Sequence, residues 1–276
     1  MSKGWSMFIR ASFAFLCLAS GDALAAPEAV RSKLAARLLR ELPDLKPADY
    51  ALGSAALDPE LRAKIEENAD AGVAAIEAGR KLWSAKFRDG STLASCFPNG
   101  GRRIAQNYPQ YDSRLKRVIT LEMAVNQCLK THGQPLYGPA DPATMGVVTS
   151  YVRSLADGQK VKVLVPAAAQ EQFEQGRRLY YTRLGQRNFA CASCHVQSAG
   201  KRYGEMSLSP AIGQATHWPV IRAGKPVMLQ SRIRECLELM GAAPFPAGFE
   251  ELNQIEFFLT YLSNGQPLKA NVWRPN

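Results

Sequence analysis

The sequence predicts a mainly α-helical protein that contains two tandem domains of similar layout. One observation is an internal repeat, because four landmarks recur in the same order about a hundred residues apart. Another is the spacing of apolar residues, which is typical of amphipathic helices in the segments that open and close each copy. A third is a Cys-x-x-Cys-His motif in the second copy. The chain has 276 residues, of which 46% are hydrophobic, enough for two globular domains.

The repeat begins after a leading segment. It pairs residues 79–83 with 176–180, 95–96 with 193–194, 128–129 with 236–237, and 155–159 with 262–266. We therefore predict a first domain at residues 76–165 and a second at 166–276, with little sheet in either. Each copy is expected to open with a helix before its cysteine cluster. Each is expected to close with another helix, at Met145–Leu155 in the first copy and at Phe249–Leu262 in the second.

The N-terminus has the three parts of a cleaved secretory signal, which we assign to residues 1–25. Lys3 and Arg10 precede or flank a compact apolar run at residues 11–19, and small residues follow at 23–26. The apolar run is too short to span a membrane, and no later stretch is long enough. The sequence therefore predicts an exported protein in an oxidising compartment such as the bacterial periplasm.

Residues 26–75 mix charged and apolar side chains at helical spacing. Pro43, Pro47 and Pro59 interrupt that pattern, because proline is tolerated only in the first turn of an α-helix. We predict an N-terminal extension of short helices that wraps around the first domain.

Cys191, Cys194 and His195 form the Cys-x-x-Cys-His motif for covalent attachment of haem. Each cysteine would add to one vinyl group of the porphyrin, and the histidine would be an axial ligand of the iron. The alternative is a redox dithiol or half of a zinc site, but His132 and His217 do not form a second ligand pair. We therefore predict one covalently bound haem c in a domain of the class I cytochrome c type, with helices before the motif and at the end.

The first copy lacks residues that covalent attachment requires. Leu93 stands in place of the first cysteine, with one residue fewer in the spacing, and Phe97 replaces the histidine. Cys96 and Cys128 remain, and in an exported protein we expect a disulfide between them, the alternative being two free thiols. The first domain is therefore predicted to bind no haem.

Of the six cysteines, Cys17 lies in the predicted signal and two belong to the haem motif. If Cys96 and Cys128 pair, Cys236 is the cysteine that is left over. It is a candidate for the second axial ligand of the iron. The competing candidates are Met206, His217, Met228 and Met240. Arg232 lies four residues before Cys236 on the same predicted helix face, and a neighbouring arginine stabilises a thiolate. The plain alternative is a buried thiol beside arginines on a solvated helix face.

The formal net charge of +10 favours anionic partners. Nucleic acid, membrane surfaces and small anions all suit a basic chain, but an exported haem protein is not expected to meet nucleic acid. We predict an anionic substrate or an acidic protein partner.

Residues 191–195, residues 231–236 and the two-copy layout together resemble the SoxA family, the larger subunit of the SoxAX cytochrome of periplasmic thiosulfate oxidation. The resemblance covers nearly all of the mature chain. It implies that Cys236 is an axial haem ligand found as a persulfide in the active site, and that Arg232 is the neighbouring active-site arginine.

The first copy departs from the family members that carry a haem in both domains. Its Leu93 and Phe97 make the chain similar to the single-haem branch, for which the resemblance implies that Cys96 and Cys128 are joined.

The activity that the resemblance implies is that of an L-cysteine S-thiosulfotransferase. Thiosulfate would be joined oxidatively to a cysteine of the carrier SoxYZ, and the electrons would leave through haem, with a SoxX cytochrome as the partner subunit. Two alternatives stay open. One is an electron-transfer cytochrome c with a methionine ligand, and the other is a thiosulfate dehydrogenase that forms tetrathionate, which usually has two haems on one chain.

Overall fold

A computed structural model describes residues 26–138, 143–204 and 206–275 of the chain. The predicted signal at residues 1–25 lies outside the described residues, and so does the side chain of Met206. In the described part, α-helices are joined by short 3-10 turns and by two-stranded antiparallel hairpins. None of the helices in these ranges combines the length and the apolar character that a membrane span needs.

The helices and strands are short, and their order follows the two-copy layout. The helices are α1 (Pro27–Glu41), α2 (Pro59–Glu67), α3 (Val73–Ser84), α4 (Leu121–Thr131), α5 (Met145–Ser154), α6 (Gln170–Tyr181), α7 (Leu229–Leu239) and α8 (Glu250–Leu262). The strands are β1 (Gln110–Asp112), β2 (Arg117–Ile119), β3 (Arg202–Tyr203), β4 (Met206–Ser207), β5 (Val220–Arg222) and β6 (Lys225–Val227). The strands pair as β1–β2, β3–β4 and β5–β6, so no larger sheet forms in the described residues. The predicted closing helices are α5 and α8, within one residue of the expected bounds.

In each repeat the opening helix packs against the closing helix, α3 against α5 and α6 against α8. The landmark glycines Gly79 and Gly176 lie at the two crossings. A Cβ atom on Gly79 would lie 1.9 Å from the carbonyl oxygen of Val147, and one on Gly176 would lie 2.1 Å from that of Gln254. The two helix backbones therefore touch at each crossing, and this contact requires a residue without a side chain.

The N-terminal extension packs against the second repeat (residues 166–276), so the expectation that it wraps around the first repeat (residues 76–165) was wrong. The hydroxyl of Thr216 donates to the carbonyl of Ala51 at 3.2 Å. Gly213, at φ +85°, has no side chain, and a Cβ there would lie 2.1 Å from the carbonyl oxygen of Tyr50. The close backbone approach that this glycine permits holds the extension beside the second repeat.

The two repeats share one apolar core, which contains Leu129 and Val148 of the first and Phe173 and Phe258 of the second. The segments that follow the two closing helices also pair with each other. The amide of Val161 donates to the carbonyl of Gln266 at 2.9 Å. The landmark segments 155–159 and 262–266 thus lie side by side, which joins the ends of the two repeats.

Candidate haem and cysteine site

The Cys-x-x-Cys-His motif lies in a short helical segment after α6, which continues as a π-helical turn at Ser193–Gln197. The amide of Ala190 donates to the hydroxyl of Ser193 at 3.0 Å, and the amide of Ser193 donates to the carbonyl of Ala190 at 2.9 Å. This reciprocal pair closes the turn. Cys191 and Cys194 are therefore held close together as thiols, each half-buried.

His195 is oriented by hydrogen bonds at both ring nitrogens. Its Nδ1 lies 2.9 Å from the carbonyl oxygen of Ser209, which can only accept, so Nδ1 carries the proton. Its Nε2 accepts a hydrogen bond of 3.0 Å from the side-chain amide of Gln214. Burial lowers the pKa of His195 to about 4. The imidazole is therefore neutral near pH 7, with Nε2 as the basic nitrogen, which is the form in which histidine ligates a metal.

Cys236 faces the motif from helix α7. The charges of Cys236 and Cys194 act on Cys191, and burial raises the pKa of that thiol to about 12. All three thiols also act on Tyr180, whose pKa is raised chiefly by burial. The hydroxyl of Tyr180 donates to the Oε1 of Gln214 at 3.2 Å. One buried region thus contains three thiols, and Tyr180 and Gln214 connect it to the imidazole of the motif.

Two opposing effects act on the pKa of the Cys236 thiol. Burial raises its pKa, and the guanidinium of Arg232 acts in the opposite direction. Burial has the larger effect, so Arg232 alone does not produce a thiolate at neutral pH. The stabilisation of a thiolate that the sequence predicts for Arg232 is therefore not sufficient. A metal cation bound at the sulfur would remove the proton.

Arg232 is held by an ion-pair cluster. Its Nη1 lies 3.0 Å from the Oε2 of Glu235, and the Nη2 of Arg222 contacts both carboxylate oxygens of Glu235, at 2.8 and 2.7 Å. Burial acts to raise the pKa of Glu235, but the two arginines hold it below its usual value. Glu235 is therefore ionised and bridges Arg222, at the end of β5, to Arg232 on α7.

Two of the other candidates for the second axial ligand, Met228 and His217, lie in different surroundings. Met228 lines a cavity together with Trp218 and Glu256. His217 stacks on Trp218, with ring centroids 5.4 Å apart, and its Cε1 lies against Gly53. Met240 is the C-cap residue of α7, and its amide donates to the carbonyl of Cys236 at 3.0 Å, so it lies one turn from Cys236.

The corresponding region of the first repeat is packed with apolar groups. Cys96 and Cys128 form a disulfide with a Cα–Cα distance of 5.9 Å. Phe97, in place of the motif histidine, stacks on Trp83 with ring centroids 5.0 Å apart, and Leu93 is fully buried. The residues that replace a cysteine and the histidine are thus part of the core of this repeat.

The sequence does not predict the contacts of several residues of the site. Ser209 and Gln214 belong to segments without a motif, and Tyr180 is part of a repeat landmark that says nothing of its contacts. Only the fold shows that these residues contact His195 or one another. Glu235 precedes Cys236 directly, but its bond to Arg222 depends on the β5–β6 hairpin, which no spacing in the sequence predicts.

Comparison with known proteins agrees with this arrangement. The profile of the SoxA/TsdA cytochrome c domain matches residues 78–161 and 175–268, one segment in each repeat. An L-cysteine S-thiosulfotransferase subunit SoxA from Chlorobaculum tepidum is 38% identical over 237 residues, which covers 84% of this chain and 82% of that protein. The subunit of the same name from Allochromatium vinosum is 36% identical and covers 89% of each chain. The chain therefore belongs to the SoxA/TsdA cytochrome c family.

A solved structure supports the same assignment. The crystal structure of SoxXA from P. pantotrophus matches with a TM-score of 0.71 at 25% identity, over 79% of this chain and 84% of that one. The predicted fold class, mainly α with two tandem cytochrome c-like domains, is confirmed by these matches, and so is the resemblance to SoxA.

Haem c is the cofactor that a cytochrome c domain implies, and the second repeat has donors that fit it. Cys191 and Cys194 are unpaired thiols. The Nδ1 proton of His195 is on a carbonyl, so Nε2, which accepts from Gln214 in this structure, is the nitrogen that would bind iron. The first repeat does not fit the group, because Leu93 and Phe97 offer neither a thiol nor an imidazole.

Proposed function

We propose that this chain is the SoxA subunit of an L-cysteine S-thiosulfotransferase. The curated relatives that it matches over most of its length carry that activity in their names. In the proposed reaction a sulfur–sulfur bond forms between thiosulfate and a cysteine of a SoxYZ-type carrier, the carrier thiol loses its proton, and two electrons leave. The observation that carries the proposal is the position of Cys236, which lies beside Arg232 and faces the thiols of the haem motif.

The cofactor in this proposal is one covalently bound haem c. Cys191 and Cys194 would hold it, and His195 and Cys236 would be the axial ligands. When bound, haem supplies an electron acceptor next to the sulfur of Cys236. The hydrogen bond from His195 Nδ1 to Ser209 supports this ligand set, since metal-ligating histidines commonly donate their other N–H to a carbonyl.

The protein side chains then bind and orient the anion. Arg232 is the residue proposed to contact thiosulfate and to stabilise the negative charge on sulfur as the new bond forms. Glu235 neutralises part of the charge of Arg232 and fixes its position, and the bidentate contact from Arg222 holds Glu235 in turn. The half-buried setting strengthens these charge interactions relative to water.

The proposal includes two protein partners and a location. A SoxX-like cytochrome c subunit would form the heterodimer, as the name SoxXA of the matched structure suggests, and a SoxYZ-type carrier would present the acceptor cysteine. In this proposal a cleaved signal at residues 1–25 carries the mature chain to the periplasm. Thiosulfate is a dianion and suits the net charge of +10. No nucleic-acid partner is proposed.

The test compares Cys236→Ala and Arg232→Gln with Lys225→Gln, which removes an exposed positive charge on the strand that pairs with Arg222. Each haem-loaded chain, paired with its SoxX-type subunit, is incubated with thiosulfate and carrier. The mass of the carrier and the tetrathionate formed are both measured.

We expect Cys236→Ala and Arg232→Gln to lose carrier conjugation by about a hundredfold or more, and Lys225→Gln to retain it. Tetrathionate as the main product would instead favour a thiosulfate dehydrogenase. Full conjugation by Cys236→Ala, with an unchanged haem spectrum, would instead favour an electron-transfer cytochrome.

A further inference from the structure

The first repeat contains a cluster of metal-ligating side chains that the proposed function does not use. The cluster consists of Cys96, Cys128 and His132, and each contributes one ligand atom that lies within 4.8 Å of the other two. Cys128 is near the end of α4 and His132 is the next residue after that helix, four positions further on, so both lie on one side of its last turn. Cys96 comes from the 3-10 turn at Leu93–Cys96.

The Nδ1 of His132 is held by a carboxylate, as is common in metal-ligating histidines. Its Nδ1 lies 2.6 Å from the Oδ2 of Asp89 and 2.9 Å from the hydroxyl of Ser91. The ring of Phe87 lies over it, with centroids 5.4 Å apart. A carboxylate on Nδ1 fixes the tautomer and leaves Nε2 for a metal, and such partners typically improve metal affinity about 10- to 100-fold.

The two sulfur atoms differ in access. Cys128 is buried, with 5% of its surface exposed, whereas Cys96 is exposed. A soluble thiol can therefore reach the sulfur of Cys96 and release Cys128 as the leaving group. The cluster is thus oxidised and closed in this structure, but it is accessible to reduction.

We propose that reduction of the Cys96–Cys128 disulfide converts this cluster into a site for Zn²⁺ or a similar thiophilic cation. A dithiol reductant supplies two electrons and two protons, is itself oxidised to a disulfide, and leaves two thiols on the protein. The cation then replaces both thiol protons, which pass to solvent, and two metal–sulfur bonds form. Nε2 of His132 is the third ligand, and solvent completes a tetrahedral set.

The donor set selects the class of cation. Two thiolates and one imidazole suit Zn²⁺, whereas Mg²⁺ and Ca²⁺ prefer oxygen ligands. The bound cation would link the 3-10 turn to α4, as the disulfide does, so the first repeat would keep a cross-link in either redox state.

The test uses the mature chain with its haem attached. It is treated with a phosphine reductant without oxygen, desalted, and equilibrated with one equivalent of Zn²⁺. Bound zinc is measured by elemental analysis, and alkylation followed by peptide mass spectrometry reports which thiols are protected. Oxidised wild type and a Cys96→Ser/Cys128→Ser double variant are run alongside.

We expect one Zn²⁺ per reduced chain, protection of Cys96 and Cys128 from alkylation, and no zinc on the oxidised chain or on the double variant. His132→Ala should weaken zinc binding at least tenfold, and Asp89→Asn should weaken it about tenfold or more. Lys130→Ala, an exposed change on the same turn of α4, should bind zinc as wild type does. Equal zinc on the reduced and oxidised chains would overturn the proposal, and so would unchanged affinity in His132→Ala.

Discussion

In the first repeat the two landmark cysteines, Cys96 and Cys128, are bonded to each other, whereas in the second repeat Cys194 and Cys236 remain thiols. Both pairs come from the same places in the fold, a short turn after the opening helix and the helix before the closing one. The difference lies in what surrounds them. The second repeat adds a third thiol, Cys191, whereas the first repeat has Leu93 in that place.

The two repeats have the same helix packing but different residues around their cysteines. The helix crossing is the same, with Gly79 and Gly176 at equivalent points, so packing does not decide the outcome. Phe97 stacks on Trp83 where the second repeat has His195, which replaces a possible ligand by core volume. The two repeats therefore differ at these positions and not at their helix crossings.

The largest difference is expected from matched cysteine substitutions in the two repeats. Cys194→Ser removes one of the two proposed thioether bonds, and we expect no normally attached haem c in that variant. Cys96→Ser should keep the haem and lose only the disulfide, at a cost of about 2–4 kcal/mol in the free energy of unfolding. Haem staining after denaturing electrophoresis and urea unfolding measure the two effects. Loss of haem in Cys96→Ser would contradict the assignment.

A smaller effect is expected from Glu235→Gln in the second repeat. The change removes the charge that bridges Arg222 and Arg232. We expect the rate of carrier conjugation to fall between about tenfold and a hundredfold, with the haem spectrum unchanged, because Arg232 loses its fixed position. Glu238→Gln, an exposed change on the same helix, is the control. Wild-type rates in Glu235→Gln would show that the cluster does not position Arg232.

The contact between the repeats contains a titratable group. Burial, followed by the charge of Glu122, raises the pKa of Glu256 from its ordinary value of 4.5 to about 8, against an opposing effect of Arg153. The folded chain then binds more protons than the unfolded chain between about pH 4.5 and pH 8, so the free energy of unfolding falls as pH rises through that range.

Glu256→Gln should remove that dependence. Gln230 donates to its Oε2 at 2.9 Å, and a glutamine oxygen can accept the same bond. We expect the variant to be more stable than wild type at pH 8 by a few kcal/mol and similar at pH 5, measured by urea unfolding at both pH values. Glu250→Gln, exposed on the same helix, should not change the pH dependence. A pH dependence that survives in Glu256→Gln would assign it to another group.

Effects on stability alone are expected at the two crossings. Gly79→Ala and Gly176→Ala each place a Cβ against a backbone carbonyl, at 1.9 and 2.1 Å. We expect each to lower the free energy of unfolding by about 1–3 kcal/mol or more, with Lys81→Ala as a neutral control on α3. Thermal unfolding measures the change. Tolerance of alanine at one crossing alone would show that the repeats pack differently.

The sequence predicted those features that local pattern determines. The closing helices α5 and α8 were predicted almost to the residue, because apolar periodicity and the repeat agree there. The landmark glycines Gly79 and Gly176 marked the opening helices before their role at the crossings was visible. The resemblance to SoxA followed from residues 191–195 and 231–236, and the family match confirms it.

Features that depend on contacts between residues far apart in the sequence could not be predicted. The extension packs against the second repeat because Gly213 admits the backbone of Tyr50, 163 positions earlier by their numbers in the chain. Asp89 reaches His132 across 43 positions, and Arg222 reaches Glu235 through a hairpin turn. None of these contacts has a periodicity or motif that marks it in the sequence.

The central claim is that the second repeat holds one haem on Cys191 and Cys194 while the first repeat holds a disulfide. The intact mass of the mature protein under denaturing conditions, without reductant, tests it most directly. The account predicts the mass of the processed chain plus one haem, less two protons for the Cys96–Cys128 bond, with the haem on the peptide that contains residues 191–195. A mass with no haem, or with a second haem on the first repeat, would contradict it.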